Sequence, residues 1–177
     1  KDSNGQQIIK DLIRKMDIVV ENFRPGTMEK WGLGYEQLKE LNPGIIMVRV
    51  SGYGQTGPYK DKPGFGSIGE AIGGIRYLTG YPDRPPTRVG ISLGDSLAAL
   101  YAVSGAMMAV YHRDVKGTGQ GQYVDVALYE AVFSLMESMV PEFDQFGFIR
   151  ERTGSTLPGI APSNTYECKD GKHIVIG

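Results

Sequence analysis

The spacing of apolar residues along the first part of the chain is the feature that most restricts its fold. Apolar side chains recur at helical intervals from Gln6 to Met16, and the run DIVVENF (17–23) that follows is typical of a buried strand. The same order then repeats, with a helix predicted over Tyr35–Leu41 and a second buried strand in GIIMVRVS (44–51). Because helices that alternate with short apolar strands are typical of βαβ units, we predict an α/β fold with a parallel sheet.

The middle of the chain continues this alternation. After a Gly- and Pro-rich loop (52–64), a helix is predicted over 65–78, and its glycines indicate that its backbone closely approaches a neighbour. The longest helix is predicted over 93–113, and small residues along it favour close packing. The strand YVDVAL (123–128) and a helix over 129–146 complete the predicted α/β region.

The last residues have a different character. The segment SNTYECKDGKHIVIG (163–177) is typical of two short strands joined by a tight turn at Asp170-Gly171. The Gly- and Pro-containing segment RTGSTLPGIAP precedes it and is typical of a domain boundary. We therefore predict that residues 1–152 belong to the α/β domain, and that residues 153–177 are a linker and the first strands of a small β-containing domain.

Composition excludes several classes of protein. The net charge of −1 gives no general attraction to nucleic acid or to anionic membranes, and no apolar run approaches the roughly 20 residues of a membrane span. The single cysteine, Cys168, excludes an internal disulfide framework and fits a reducing, cytoplasmic location. The chain begins KDSNGQQ, without an initiator methionine or the apolar core of a signal peptide, so we expect an internal piece of a longer protein.

Several common sites are disfavoured by the sequence. GYGQTG (52–57) matches the glycine fingerprint of dinucleotide-binding proteins, but Pro58 and Pro63 prevent the helix that should follow at once. The two histidines, His112 and His173, have no cysteine or carboxylate at metal-ligand spacing, so no metal site is predicted. No nucleophile elbow is present for Ser-His-Asp chemistry.

Two residues remain as candidates for a site. Arg24, in ENFRPG, follows a predicted strand at the end where open α/β sheets bind ligands. Asp95, in SLGDSLAAL, begins the longest predicted helix. Asp95 has two interpretations, because aspartate is a favoured N-cap residue and because the positive end of the helix dipole also keeps a nucleophilic carboxylate ionised.

The order of three motifs resembles that of a known family. DIVVENFRPG with the residues that follow it, then LGDS, then KGTGQGQYVDVAL, are similar in sequence and order to the class III CoA-transferases, the CaiB/BaiF family. The resemblance covers essentially the whole chain, although family members are about twice this long. It implies that the chain is part of a Rossmann-like, CoA-binding large domain, and that the protein forms homodimers whose chains interlock like rings.

The resemblance also implies a reaction and its nucleophile. Members of the family move coenzyme A from an acyl-CoA donor to a free carboxylic acid, and their nucleophilic aspartate matches Asp95. The implied intermediates are an acyl-aspartyl anhydride and an aspartyl-CoA thioester. Coenzyme A takes part as the acyl-CoA co-substrate, with no metal and no redox cofactor.

Five further positions match residues that contact coenzyme A in the family. Asn22 and Phe23 correspond to residues that line the CoA site, and Arg24 occupies an aligned position at which the side chain varies. Lys1 aligns with a lysine that reaches the CoA phosphates. Lys30 stands where an arginine is common, which keeps the charge but loses the bidentate guanidinium.

Two other functions are compatible with parts of the sequence. The α-methylacyl-CoA racemases share the fold and an aspartate at the LGDS position, but they pair it with a histidine in a GHD-type stretch. Phe65 and Gly66 stand at the corresponding histidine and aspartate positions here, which weighs against racemase chemistry because a base is needed on each face of the α-carbon. The third interpretation is an inactive partial domain with a structural role.

Overall fold

A parallel sheet of three short strands organises most of the chain. The computed structural model describes residues 2–177. Its elements, in chain order, are α1 (Ser3–Ile13), β1 (Ile18–Glu21), α2 (Thr27–Lys30), α3 (Tyr35–Leu41), β2 (Ile46–Ser51), α4 (Gly66–Ile72), α5 (Ile75–Leu78), α6 (Leu93–Val110) with a π-helical turn (Tyr111–Val115), β3 (Tyr123–Ala127), α7 (Leu128–Phe133), α8 (Met139–Phe146), β4 (Asn164–Glu167) and β5 (His173–Ile176).

The two sheets are separate in the structure. β1, β2 and β3 pair in that order and all run parallel, with Val48 of β2 opposite Val20 of β1 and Val124 of β3. β4 and β5 pair antiparallel around the turn at Asp170-Gly171. The predicted α/β class with an additional small β unit is therefore confirmed, while the boundary between 152 and 153 stays a prediction.

Two apolar cores cover the two faces of the parallel sheet. On one face, the small side chains of α6 pack against the sheet and α7; this core contains Ile46, Val48, Ala98, Ala102, Ala106, Ala109, Val126, Leu128 and Ala131. On the other face, α1, α2 and α3 contribute to a core of Ile13, Met28, Leu33, Leu38, Ile45 and Met47. Since alanine projects little from a helix, α6 lies close to the strands, and its first turn reaches their carboxyl ends.

Two predicted helices are interrupted in the structure. The helix predicted over 65–78 ends at Ile72 because Gly74 has a left-handed conformation, with φ of 99°. The helix predicted over 129–146 is broken after Phe133 and restarts at Met139. Pro141 explains the restart, because proline is tolerated only in the first turn of a helix. α2 was not predicted.

The predicted close approach of the 65–78 backbone is confirmed. A Cβ atom built on Gly69 would lie 2.9 Å from Cβ of Leu128, and one built on Gly73 would lie 2.6 Å from Cβ of Val132. Both distances are shorter than a real Cβ contact, so α4 packs on α7 at a separation that only glycine allows. The position of α4 is thereby set by α7.

The expectation that no apolar run has membrane-spanning length is wrong for residues 93–115. Among the described residues, this stretch forms one helix long and apolar enough to span a membrane by length and composition alone. One face of it packs on the sheet through Ala98 and Ala102, whereas Leu100 and Val103 on another face are exposed. A single such helix is a weak indication of a membrane span, because core helices meet the same criterion.

A buried ion cluster joins the ends of β1 and β2 to α2. Glu21 and Arg49 are opposite each other in the parallel register, and both are more than nine-tenths buried. Nε of Arg49 donates to Oε1 of Glu21 at 2.7 Å, while its terminal nitrogens donate to both oxygens of Glu29 at 2.7 and 3.2 Å. Burial alone would lower the pKa of Arg49, but the hydrogen bonds that it donates to Glu29 and Glu21 raise this pKa above its ordinary value.

Replacing Arg49 should therefore destabilise the protein strongly. In Arg49→Met, the buried carboxylate of Glu21 loses its cation, which should lower the free energy of unfolding by about 3–5 kcal/mol. Urea unfolding measures the difference. As a control, Arg84→Met removes an exposed guanidinium that lies 3.9 Å from Asp83, and should leave the free energy nearly unchanged. Equal effects of the two substitutions would contradict a stabilising role of the cluster.

The same cluster should make stability depend on pH through Glu29. The hydrogen bond from Arg49 lowers the pKa of Glu29 below its usual value, so its contribution is present above the unfolded-state pKa and is lost as the pH falls through the folded-state value. Between about pH 5 and about pH 3, the Tm of the wild type should fall more steeply than that of Glu29→Gln. Glu40→Gln is the control, because Glu40 is exposed and makes no ion pair within residues 2–177. The Tm of this variant should fall with pH as steeply as that of the wild type. If the Tm of Glu29→Gln fell with pH as steeply as that of the wild type, the pH dependence would not come from Glu29.

Candidate functional site

A cleft opens at the carboxyl ends of the parallel strands. Its volume is about 430 Å³, and its lining comes from the ends of β1 and β2, the start of α7 and the first two turns of α6: Val20, Glu21, Asn22, Val50, Asp95, Ala99 and Leu128. This is the edge at which open α/β sheets bind ligands. The parallel strand order and the packing of α6 together create the cleft, and two predicted site residues, Asn22 and Asp95, line it.

Asp95 lies in the first turn of α6 and is exposed to the cleft. The helix begins at Leu93 and its N-cap residue is Ser92, so the interpretation of Asp95 as the N-cap is wrong: it is the third residue of the helix. No donor within residues 2–177 hydrogen-bonds to its carboxylate. The unpaired N–H groups of the first helical turn place partial positive charge near this carboxylate. The carboxylate thus faces the cleft without a hydrogen-bond partner among the described residues.

The turn after β1 holds Asn22 at the cleft, whereas the next residue, Phe23, does not line it. Oε2 of Glu21 accepts a hydrogen bond from the backbone N–H of Phe23 at 2.7 Å, while Oε1 of the same carboxylate accepts from Arg49. The ring of Phe23 meets that of Trp31 edge to face, with centroids 5.1 Å apart. The ion cluster therefore fixes the backbone that carries Asn22 into the cleft.

The predicted cationic residues follow on the same segment. Arg24 and Lys30 are both exposed, at the turn before α2 and at its last residue. The carbonyl of Arg24 accepts from the N–H of Thr27 at 3.1 Å, which closes the turn. Neither side chain lines the 430 Å³ cleft, although both lie within nine residues of Asn22 in sequence. Lys1 lies outside the described residues.

The groups around Asp95 do not include a second base of the racemase type. Asp95 and Glu21 are the titratable residues of the lining, and Glu21 is held by Arg49. Within residues 2–177, His112 lies in the π-helical turn after α6 and His173 in β5, and no group of three potential metal ligands occurs. The site can therefore supply a nucleophilic carboxylate, but the described part of the chain brings no histidine to the opposite side of a substrate.

The sequence patterns did not predict Glu21 as a residue of the cleft, nor Arg49 and Glu29 as the residues that hold it. A signal was present, since Glu21 and Arg49 are opposite charges near the ends of two predicted parallel strands. Their pairing depends on register, and the apolar pattern alone does not specify whether residue 21 faces residue 49 or a neighbour of it. In the structure they are direct partners.

Comparisons with known proteins identify the family of this chain. The model of CoA-transferase family III matches residues 1–177. A crystal structure of a CaiB/BaiF family protein from Brucella suis has a TM-score of 0.89 and 34% sequence identity, over 99% of this chain and 46% of that one. The sequence resemblance is thus matched by the fold.

Two curated relatives come from Chloroflexus aurantiacus. A succinyl-CoA–D-citramalate CoA-transferase is 62% identical over 173 residues, which are 98% of this chain and 42% of the relative. The beta subunit of a succinyl-CoA–L-malate CoA-transferase is 47% identical over 174 residues, 97% of this chain and 42% of the relative. The chain therefore spans less than half the length of these relatives. With a match over its whole length to the family model, the chain belongs to CoA-transferase family III.

Proposed function

We propose that the protein transfers coenzyme A from an acyl-CoA to a free carboxylic acid, and that Asp95 is the nucleophile. The observation that carries this proposal is an exposed carboxylate on the first turn of α6, in a cleft at the carboxyl ends of parallel strands, in a chain of this family. An ionised carboxylate cannot act as a general acid, but it can attack the carbonyl carbon of a thioester.

The first half of the proposed reaction needs only the acyl-CoA donor and the carboxylate of Asp95. One oxygen of Asp95 attacks the thioester carbonyl of the donor, the C–S bond breaks, and an acyl-aspartyl anhydride and CoA thiolate result. The thiolate then attacks the aspartyl carbonyl, which releases the donor acid and leaves an aspartyl-CoA thioester. Each step exchanges one activated acyl bond for another, so the covalent route divides a slow transfer into faster steps.

The second half of the proposed reaction reverses the first with a different acid. The acceptor carboxylate attacks the aspartyl carbonyl and displaces the thiolate, which forms a second anhydride. The thiolate attacks the acceptor carbonyl, the new acyl-CoA leaves, and the Asp95 carboxylate is restored. No electron is gained or lost, and neither a metal nor a redox group is required.

The CoA contacts are proposed from position and charge. Asn22 lines the cleft beside Asp95, and the exposed cations Arg24 and Lys30 follow within the same turn and helix. This order suits a ligand whose thioester lies near Asp95 and whose phosphates extend over the segment from β1 to α2. Lys1 is proposed as a further phosphate contact on the family resemblance alone. Lys30 supplies charge but not a bidentate fork, so we expect its contribution to be the smallest.

The substrate class is proposed from the relatives. The two Chloroflexus aurantiacus proteins are named for succinyl-CoA with D-citramalate and with L-malate. Both acceptors are hydroxy-dicarboxylic acids, so we propose succinyl-CoA as donor and an acid of that class as acceptor. We further propose a cytoplasmic homodimer, as the resemblance implies. Assay of the protein with succinyl-CoA and a panel of mono- and dicarboxylic acids, read by mass spectrometry, tests the acceptor class.

The substitution Asp95→Asn distinguishes a nucleophilic role of Asp95 from a purely structural one. If Asp95 is the nucleophile, transfer should fall by more than about 1,000-fold, because an amide cannot form the anhydride. The Tm should change little, since the side chain is exposed and the replacement has the same shape. Binding of acyl-CoA, measured by calorimetry, should remain.

A matched control is available in the loop before α6. Asp83→Asn also removes one exposed carboxylate, but at a residue outside the cleft, and should leave the rate of transfer unchanged. Transfer at near the wild-type rate in Asp95→Asn would show that Asp95 is not the nucleophile.

A further inference from the structure

The first residue of α4 lies directly against the carboxylate of Asp95. A Cβ atom built on Gly66 would be 2.6 Å from Oδ2 of Asp95 and 3.1 Å from both its Cγ and Oδ1. Real Cβ atoms essentially never approach another heavy atom as closely as 2.6 Å. The carboxylate thus occupies the space that any side chain at position 66 would need.

Backbone conformation does not require glycine at this position. The φ angle of Gly66 is not in the left-handed region, so an L-residue could adopt the same conformation. Alanine is also a better helix former than glycine. Neither backbone conformation nor helix propensity explains why residue 66 is glycine, whereas the contact with Asp95 does.

α4 has little freedom to move away from Asp95. Its backbone touches α6 at a second glycine, because a Cβ on Gly94 would lie 3.2 Å from the carbonyl oxygen of Gly66. On its other side, α4 contacts α7 through Gly69 and Gly73. Because α4 is held between two helices, a side chain at position 66 would displace the carboxylate more readily than the helix.

We propose that Gly66 is a positioning residue for the nucleophile: the absence of its side chain lets the Asp95 carboxylate lie against the backbone of α4, in the orientation from which it attacks the thioester. This inference rests on the proposed function of Asp95. It differs from the proposed CoA contacts because Gly66 is not on β1 or α2 and acts only through Asp95.

The substitution Gly66→Ala should reduce kcat far more than it changes KM for acyl-CoA. A displacement of a reacting group by about 1 Å costs on the order of 100-fold in rate, so we expect kcat to fall by about 100-fold. The KM for succinyl-CoA should stay within about threefold, since the proposed contacts with CoA lie on other elements. Trapping of an Asp95 adduct by hydroxylamine during turnover should fall in parallel with kcat.

Gly73→Ala, at the residue that follows α4, is the control. Its Cβ would lie 2.6 Å from Cβ of Val132 and 2.8 Å from the backbone oxygen of Gly69, so it disturbs the packing of α4 at least as much as Gly66→Ala without touching Asp95. We expect Gly73→Ala to lower the Tm while kcat per folded molecule changes much less than in Gly66→Ala. Equal losses of kcat in the two variants, or a wild-type kcat in Gly66→Ala, would overturn the proposal.

A double-mutant cycle measures the contact even if Gly66→Ala folds poorly. Truncation in Asp95→Ala removes the atoms that a Cβ at position 66 would meet, so Gly66→Ala should lower the Tm less in that background than in the wild type. Equal Tm shifts in the two backgrounds would refute the contact. If Asp95→Asn retains full activity, the proposed function fails; if Asp95→Asn is inactive and Gly66→Ala is fully active, only the role of Gly66 fails.

Discussion

The close packing of α6 on the parallel sheet is the constraint on which the site depends. A stripe of alanines, from Ala98 to Ala109, contacts the strands, and Gly105 lies so near Val124 that a Cβ would be 2.6 Å from Cγ1 of that residue. Because the helix cannot rotate or withdraw without opening this contact, its first turn has a defined place beside the carboxyl ends of β1 and β2. Asp95, one turn before Ala98, therefore faces the cleft.

The opposite side of the cleft is held by charge rather than by apolar contact. Arg49 joins Glu21 and Glu29, and the second oxygen of Glu21 holds the N–H of Phe23. A buried ion pair of this kind adds little net stability compared with apolar residues, yet it requires one geometry of its members. The turn that carries Asn22 is in this way fixed relative to the strands, and the cleft has two preorganised walls.

Local sequence predicted the strands, α3 and the start of α6, because apolar periodicity and turn residues act over short distances. It did not predict where the helices over 65–78 and 129–146 are interrupted, since Gly74 and Pro141 act through φ angles and steric contacts that periodicity ignores. Asp95 was found as a candidate from its neighbours, but its place in the third position of α6 and its contact with Gly66 depend on how three helices pack. The Glu21–Arg49 pair likewise depends on strand register.

The central claim is that Asp95 forms covalent intermediates. The most direct test of it follows the carboxylate oxygen atoms of the acceptor acid. With an acceptor acid labelled by ¹⁸O in its carboxylate, the proposed steps leave one acceptor oxygen in the restored carboxylate of Asp95 after each turnover. Mass spectrometry of the peptide that contains Asp95 should then show incorporation of ¹⁸O that depends on both acyl-CoA and acceptor. Product formation without label in that peptide would contradict the account, because direct transfer between the two acids leaves the enzyme unlabelled.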